Sequence, residues 1–243
     1  MPNPTAAMLT IGDEILSGRT RDANMPHLAA VLADRGIDLR ETRVVADDHA
    51  AIVAALDALR RSYDHVFTSG GIGPTHDDIT ADAVADAFGV AIDVRSDARA
   101  LLEAHYERTG LELNAARLRM ARIPQGATLI ENPISAAPGF SLDNVHVMAG
   151  VPQIFQAMVA SVLPGIAGGA PLLSQTLQVT RGEGEIATPL AQLAQEFPSL
   201  SFGSYPFVRD GVHGARVVVR GADRARVDAA MQRLAALFPE ATA

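Results

Sequence analysis

Cysteine is absent from the 243 residues. Disulfides, thiolate metal sites, iron–sulfur clusters and cysteine nucleophiles are thereby excluded. A reducing cytoplasm suits such a chain. Lysine is absent as well, and all 20 basic residues are arginine. This removes a Walker-type phosphate loop, a Schiff-base lysine and a lysine general base. Genomic base composition is the simplest origin of the bias, and the chemical exclusions hold regardless. No clean apolar span of about 20 residues is present, so no membrane helix is expected. The one long segment without charged residues, 144–180, is interrupted by Pro152, Pro164 and Pro171 and contains Gln153, Gln156 and Gln175. Met1-Pro2-Asn3-Pro4 lacks a basic region followed by an apolar stretch, so no secretory signal is expected. His27, His49, His105, His146 and His213 show no metal-ligand spacing, and no zinc site is expected. Neither Gly-x-Ser-x-Gly nor Gly-x-Gly-x-x-Gly occurs in the settings that would mark a hydrolase elbow or a dinucleotide fold.

What is present is a large apolar fraction, 48%, enough for a substantial core. The formal net charge is −8, spread along the chain. Nonspecific binding to nucleic acid or to an anionic membrane is therefore not expected.

Hydrophobic periodicity alternates strand and helix through the first two thirds. Strands are expected at 6–11, 38–45, 65–68, 127–130 and 145–148. Helices are expected at 27–33, 50–59, 79–88, 96–121 and from Pro152 to about Leu163, with 12–22 a polar loop. Such alternation implies a mostly parallel sheet in a three-layer α/β/α sandwich. The stretch from Pro164 to Pro171, with Gly165, Gly168 and Gly169, reads as a linker. Beyond it the order is strand 172–180, helix 185–196, strands 200–204 and 215–220, and helix 223–238. This suits a small α+β domain of split βαβ type. The expected domains are 5–165 and 171–240.

Ligands of open parallel sheets sit beyond the carboxyl ends of the strands. Gly12-Asp13-Glu14, Ala46-Asp47-Asp48, Gly70 to Asp78 and Gly150-Val151-Pro152 all fall at that edge. Gly70-Gly71-Ile72-Gly73 is either a cradle of backbone amides for a phosphate or a tight strand-to-helix turn. Asp77 and Asp78 would repel a phosphate unless Mg²⁺ bridged them or one carboxylate acted as a base. Asp78 could equally cap the next helix, and either Asp47 or Asp48 could cap the helix that follows them. Asp13 and Glu14 are either part of this site or a solvated loop. His76 reads as solvated.

These segments, with Ile15-Leu16-Ser17-Gly18, Thr20-Arg21-Asp22-Ala23-Asn24 and Ser69 to Thr80, resemble the CinA-type branch of the MoaB/Mog family of molybdopterin-binding domains. The resemblance covers roughly residues 5 to 165. Asn132-Pro133, Ala137-Pro138-Gly139-Phe140 and Gly150-Val151-Pro152 resemble the family's later ligand-side loops. Phe202-Gly203-Ser204-Tyr205-Pro206 resembles the small domain that follows in CinA proteins and in the molybdopterin-binding region of eukaryotic FAD synthases. The resemblance implies a three-layer sandwich, a homo-oligomer and one of two activities. Mog-type members adenylate or metallate molybdopterin with aspartates that match Asp47 and Asp78. CinA-type members look like divalent-metal-dependent pyrophosphatases of ADP-ribose or FAD-like dinucleotides, and the small domain favours this branch. A binding module without turnover is the third reading.

The implied catalytic residues are Asp47, Asp78 and Asp13, with Asp78 and Asp47 also holding Mg²⁺ or another divalent cation. The implied ligand-binding residues are Gly70, Gly71, Gly73, Thr75, Ser17, Asn132, Pro138 and Gly139. The expected partner is a small phosphate-bearing molecule, pterin or nucleotide. Two positions depart from the family pattern: Ser135-Ala136 replaces a Gly-Thr pair, and Gln153 stands where glutamate is common. Nothing resembles the separate deamidase domain of many CinA proteins, so deamidation of nicotinamide nucleotides is not expected.

Overall fold

A computed structural model describes residues 2–209 and 211–242, so Met1 of the N-terminal tetrapeptide lies outside it. The chain divides into two compact units between Gly169 and Ala170.

The first unit begins with β1 (Thr5–Ile11), α1 (Asp13–Leu16), α2 (Asn24–Asp34), β2 (Asp38–Val45), α3 (His49–Arg60), β3 (His65–Ser69) and α4 (Thr80–Phe88). It continues with β4 (Ile92–Val94), α5 (Ser96–Thr109), α6 (Ala115–Leu118), β5 (Arg122–Pro124), β6 (Thr128–Ile130), β7 (Gly139–Leu142), β8 (Val145–Met148) and α7 (Pro152–Val162). Six strands form one sheet in the order β2-β1-β3-β8-β7-β6. The first four are mutually parallel, and β7 and β6 add antiparallel.

β1 is central, and its run Ala6 to Ile11, apolar except for Thr10, is buried on both faces, as a central strand of a parallel sheet should be. Its side chains alternate between two cores. Ala7, Leu9 and Ile11 meet Ile52, Leu56 and Leu59 of α3, Val84 of α4 and Leu102 of α5. Ala6 and Met8 meet Leu28 and Leu32 of α2 and Phe155, Met158 and Val159 of α7. The result is the three-layer sandwich.

Several local expectations are corrected. The segment 96–121 is not one helix, because Gly110 takes a left-handed cap (φ 69°) that ends α5. Asn114 then caps α6 by accepting from the Arg117 N–H. The polar loop 12–22 contains the single turn α1. β4 and β5 form a two-stranded ribbon, and β7 joins the main sheet. The linker is fastened at its start: the Arg35 guanidinium donates to the Leu163 and Ile166 carbonyls, and the Gly169 N–H donates to the Arg35 carbonyl.

The second unit contains β9 (Leu173–Val179), α8 (Glu183–Glu196), β10 (Ser201–Arg209), β11 (Val212–Gly221) and α9 (Arg224–Leu237). β11 lies between β10 and β9 and is antiparallel to both. β9 and β10 are therefore parallel to each other with a strand between them, which is a split βαβ arrangement. Its core joins Leu177, Val179, Val217 and Val219 to Ile186, Leu193, Val227 and Leu234. β10 runs through Pro206 to Arg209, longer than its sequence suggests, because an edge strand tolerates proline.

Candidate functional site

The carboxyl ends of β1, β2, β3 and β8 meet at a cleft of about 510 Å³. Gly12, Glu14, Asp47, the loop Gly70–Pro74, Asp77, Asp78, Asn132, Ser135 and Gly150–Pro152 line it. Four of these side chains are carboxylates, and none of the lining residues is basic.

The glycine loop is dictated by sterics. Gly70 has φ 110°, and a Cβ there would lie 2.2 Å from the Ile11 carbonyl oxygen. Gly71 has φ 69°, and its Cβ would lie 2.1 Å from Thr80 Oγ1. At Gly73 a Cβ would meet Asp78 Oδ2 at 2.6 Å. The loop is strapped to α4: Thr80 Oγ1 donates to the Gly70 carbonyl (3.0 Å) and the Thr80 N–H to the Gly71 carbonyl (3.0 Å). The loop therefore has a fixed backbone before any ligand arrives.

Capping settles two of the open alternatives. Asp48 caps α3 by accepting from the Ala51 N–H (2.8 Å), which leaves Asp47 for the site. Asp78 does not cap α4, whose N-terminus has no side-chain cap. Its Oδ2 instead accepts from the Thr75 N–H (2.8 Å) and Thr75 Oγ1 (2.6 Å). Asp47 Oδ2 accepts from the Asp13 N–H (3.0 Å). Burial is the main reason that the Asp47 carboxyl is pushed above the usual aspartate range; the Asp13 N–H counters it, and the charges of Asp13, Glu14 and Asp77 add to it.

The other implied residues take different places. Asp13 contributes its backbone N–H, while the neighbouring Glu14 lines the cleft. Thr75 spends its hydroxyl on Asp78. Ser17 lies outside the cleft lining, exposed, and its hydroxyl donates to the Glu14 carbonyl and accepts from Arg19 Nε. Asn132 reaches the lining but is used within its own loop: Oδ1 accepts from the Ile134 and Ser135 N–H groups, and Nδ2 donates to Ser135 Oγ and the Ala137 carbonyl. Pro138 lines an adjoining recess of about 20 Å³ with Asp78 and Arg119. Gly139 is buried in β7, where a Cβ would lie 2.3 Å from the Val147 carbonyl oxygen. Gln153 is exposed and outside the lining, and His76 is solvated.

Asn24 is a residue whose role sequence reasoning missed. It is buried, and its Nδ2 donates to Ser69 Oγ (2.8 Å) and the Gly150 carbonyl (2.7 Å), tying two strand ends together behind the cleft. A polar residue at the buried first turn of an amphipathic helix was the available signal. Among the described residues, no group of three or more histidine, aspartate or glutamate side chains is assembled to hold a metal ion.

Fold and site together define a MoaB/Mog-like sandwich with a glycine loop at the carboxyl edge of its parallel strands. The chain belongs to the family described as "Probable molybdopterin binding domain", whose model matches residues 7–168. The model of the FAD synthase middle domain matches residues 171–243. A CinA-like protein of Geobacter metallireducens is 35% identical over 247 residues, which cover 96% of this chain and 59% of that protein. The chain thus spans less than two thirds of that relative's length. A protein of Caldivirga maquilingensis is 34% identical over 203 residues, 82% of this chain and 78% of that one. The crystal structure of the protein CinA with unknown function from Thermoplasma acidophilum aligns with a TM-score of 0.62 and 32% identity, covering 68% of this chain and 99% of that one. This is the family and the CinA-like branch that the motifs Gly12–Gly18, Thr20–Asn24 and Ser69–Thr80 resemble.

Proposed function

We propose that the first unit hydrolyses a nucleotide pyrophosphate, of the ADP-ribose or FAD kind, with a divalent cation. The observation that carries this reading is the cleft's composition: a rigid loop of glycine amides suited to phosphate, surrounded by Glu14, Asp47, Asp77 and Asp78 with no basic side chain. Amides alone would not hold an anion against four carboxylates. The carboxylate excess fits Mg²⁺, which binds through one or two carboxylates and completes its shell with substrate phosphates. A preassembled cage of three protein ligands is therefore not required. Asp47 and Asp78 would hold the ion, which supplies charge neutralisation at the phosphoanhydride.

The chain's own groups do the rest. The segment Gly71 to Gly73 orients the phosphate, while the Gly70 N–H is spent on the Met148 carbonyl and fixes the start of the loop. Thr75 fixes the Asp78 carboxylate, and the Asp13 N–H fixes Asp47. Asp47, held in place by the Asp13 N–H, would orient the attacking water beside the ion. Release of AMP from ADP-ribose or FAD in the presence of Mg²⁺ or Co²⁺, abolished in Asp78→Ala, is the expected result. Turnover equal to that of Asp78→Ala would end the proposal.

A second reading is a pterin-binding protein of molybdenum-cofactor metabolism, favoured by the family description of residues 7–168. It requires tight binding of molybdopterin or its adenylylated form, and calorimetry showing no binding would remove it. A ligand-binding module without turnover would show affinity unchanged by Asp47→Asn. Self-association of the chain accompanies each of these readings.

A further inference from the structure

The motif Phe202-Gly203-Ser204-Tyr205-Pro206 has no part in the cleft, and it forms the start of β10. The sheet of the second unit has two unlike faces. One carries Val217, Val219, Leu177 and Val179 and is covered by α8 and α9. The other carries Tyr205 and Phe207 from β10, and Arg216 and Arg220 from β11. Register places Tyr205 opposite Arg216 and Phe207 opposite Gly214. Tyr205, Arg216 and Arg220 are exposed.

The glycines explain the posture of the two rings. A Cβ at Gly214 would come within 2.5 Å of Phe207 Cζ, and one at Gly203 within 3.1 Å of Tyr205 Cε2. Both aromatic rings thus lie close against the sheet over positions without side chains. They form a shelf rather than projecting knobs.

Charge sets this shelf apart from the rest of the chain. β9, β10 and β11 contain no aspartate or glutamate, in a protein with 28 acidic residues. Arg209, Arg216 and Arg220 are all on the ring-bearing face, and none forms an ion pair among the described residues. A pocket of about 300 Å³ at this face is lined by Gln178, Phe207, Val208, Arg209 and Arg216. Its volume is that of a small-molecule site rather than of a groove for an extended strand, and Tyr205 lies outside its lining.

We propose that this face binds one nucleotide, its base stacked on the aromatic shelf and its phosphate held by Arg216 and Arg209. Stacking tolerates any planar heterocycle, and the arginine fork matches phosphate oxygens. Calorimetry of the full chain with 5′-AMP in EDTA, conditions that disfavour the metal-dependent cleft, tests it. Tyr205→Ala and Arg216→Ala each lower the affinity about tenfold, while Tyr205→Phe retains it. Adenosine and ribose 5-phosphate each bind more weakly than AMP, because each lacks one half of the recognition. The turnover number for ADP-ribose hydrolysis is unchanged in both alanine variants, and their melting temperatures match the parent's. AMP affinity unchanged in both variants would overturn the proposal. So would a single-stranded oligonucleotide bound far more tightly than AMP with a steep salt dependence, which would make the face a nucleic-acid platform.

Discussion

Substituting Gly70 by alanine tests whether the candidate site is built on backbone geometry. Two costs add at this position. Left-handed φ alone costs an L-residue about 1–2 kcal/mol. Gly18 isolates that cost, with φ 71° and nothing within 4 Å of the point where a methyl would sit. Gly18→Ala should therefore destabilise by about 1 kcal/mol, or a Tm loss of about 2–4 °C for a unit of this size. Gly70 has a comparable backbone penalty, and its Cβ would also lie 2.2 Å from the Ile11 carbonyl oxygen. That oxygen belongs to the central strand, and the Gly70 N–H is held on the other side by the Met148 carbonyl at 3.1 Å. Neither neighbour can swing away as a side chain would. Forced overpacking adds about 1–3 kcal/mol or more, so Gly70→Ala should lose about 2–5 kcal/mol in all, with a Tm lower by about 10 °C. Scanning calorimetry of both variants, following the transition of the first unit, makes the comparison. If Gly70→Ala melts within experimental error of Gly18→Ala, the close approach of Gly70 to β1 is not a constraint and the argument for a rigid loop fails.

Three further outcomes follow from charge and conformation. In the metal-free protein the Asp47 carboxyl sits above the usual aspartate range, and removing one acidic neighbour with Glu14→Gln should move its titration, followed by NMR in EDTA, to lower pH; a titration that stays in place means that Glu14 does not act on Asp47. His146 is buried, with its pKa pushed down to about 4, mainly by burial and then by His65 beside it. The unfolded chain binds that proton near pH 6.5, so stability is full above this value and falls by about 3 kcal/mol as pH drops from about 6.5 to about 4; urea titrations should show this slope flattened in His146→Gln, and an unaltered slope would assign it elsewhere. Ala136 holds a left-handed backbone (φ 61°), so Ala136→Gly should raise stability by about 0.5–1 kcal/mol in the same titrations, and a loss would mean that its methyl makes a contact worth more than the strain.

What could be read in advance divides along physical lines. β1 and β3 are central parallel strands with both faces buried; β1 shows it as an apolar run broken only by Thr10 before Gly12, and β3 as Val66-Phe67 followed by the small buried Thr68 and Ser69 before Gly70. β7 escapes that logic: it has four residues, starts at a glycine and returns to β8 through Asp143, a non-glycine with φ 52°. The helix expected over 96–121 fails because the apolar spacing of Leu111, Leu113 and Leu118 continues the rhythm of α5 beyond the glycine that ends it. At the cleft, Asp47 and Asp78 were legible because their position at strand ends depends only on topology. The directions of Thr75, Ser17 and Asn132 were not, because a hydroxyl or amide in a loop chooses between a ligand and its neighbours according to turn geometry. Gly139 shows the same ambiguity: a glycine needed for close approach could face a ligand or, as here, another strand.

The carboxylate excess has a consequence that separates a metal-assisted site from a plain amide cradle. A phosphate charge about 8 Å from a carboxylate, at an effective dielectric between about 20 and 80, meets a repulsion on the order of 1 kcal/mol. Glu14, Asp47, Asp77 and Asp78 together therefore oppose an incoming dianion by several kcal/mol before screening. Glycine amides contribute charge-assisted hydrogen bonds of about 1.5–3 kcal/mol each, so the two effects nearly cancel. Affinity of the cleft for ADP-ribose should then be weak in EDTA and rise at least about tenfold on adding Mg²⁺, the direction required when a cation offsets the repulsion. Asp47→Asn supplies the control: it should raise the metal-free affinity by removing one repulsive charge while erasing most of the metal-dependent gain. Fluorescence anisotropy with a labelled ADP-ribose, in EDTA and with Mg²⁺, measures all four values. Tight binding in EDTA that Asp47→Asn leaves unchanged would mean that the amides dominate, and the carboxylates would then need another explanation than metal binding.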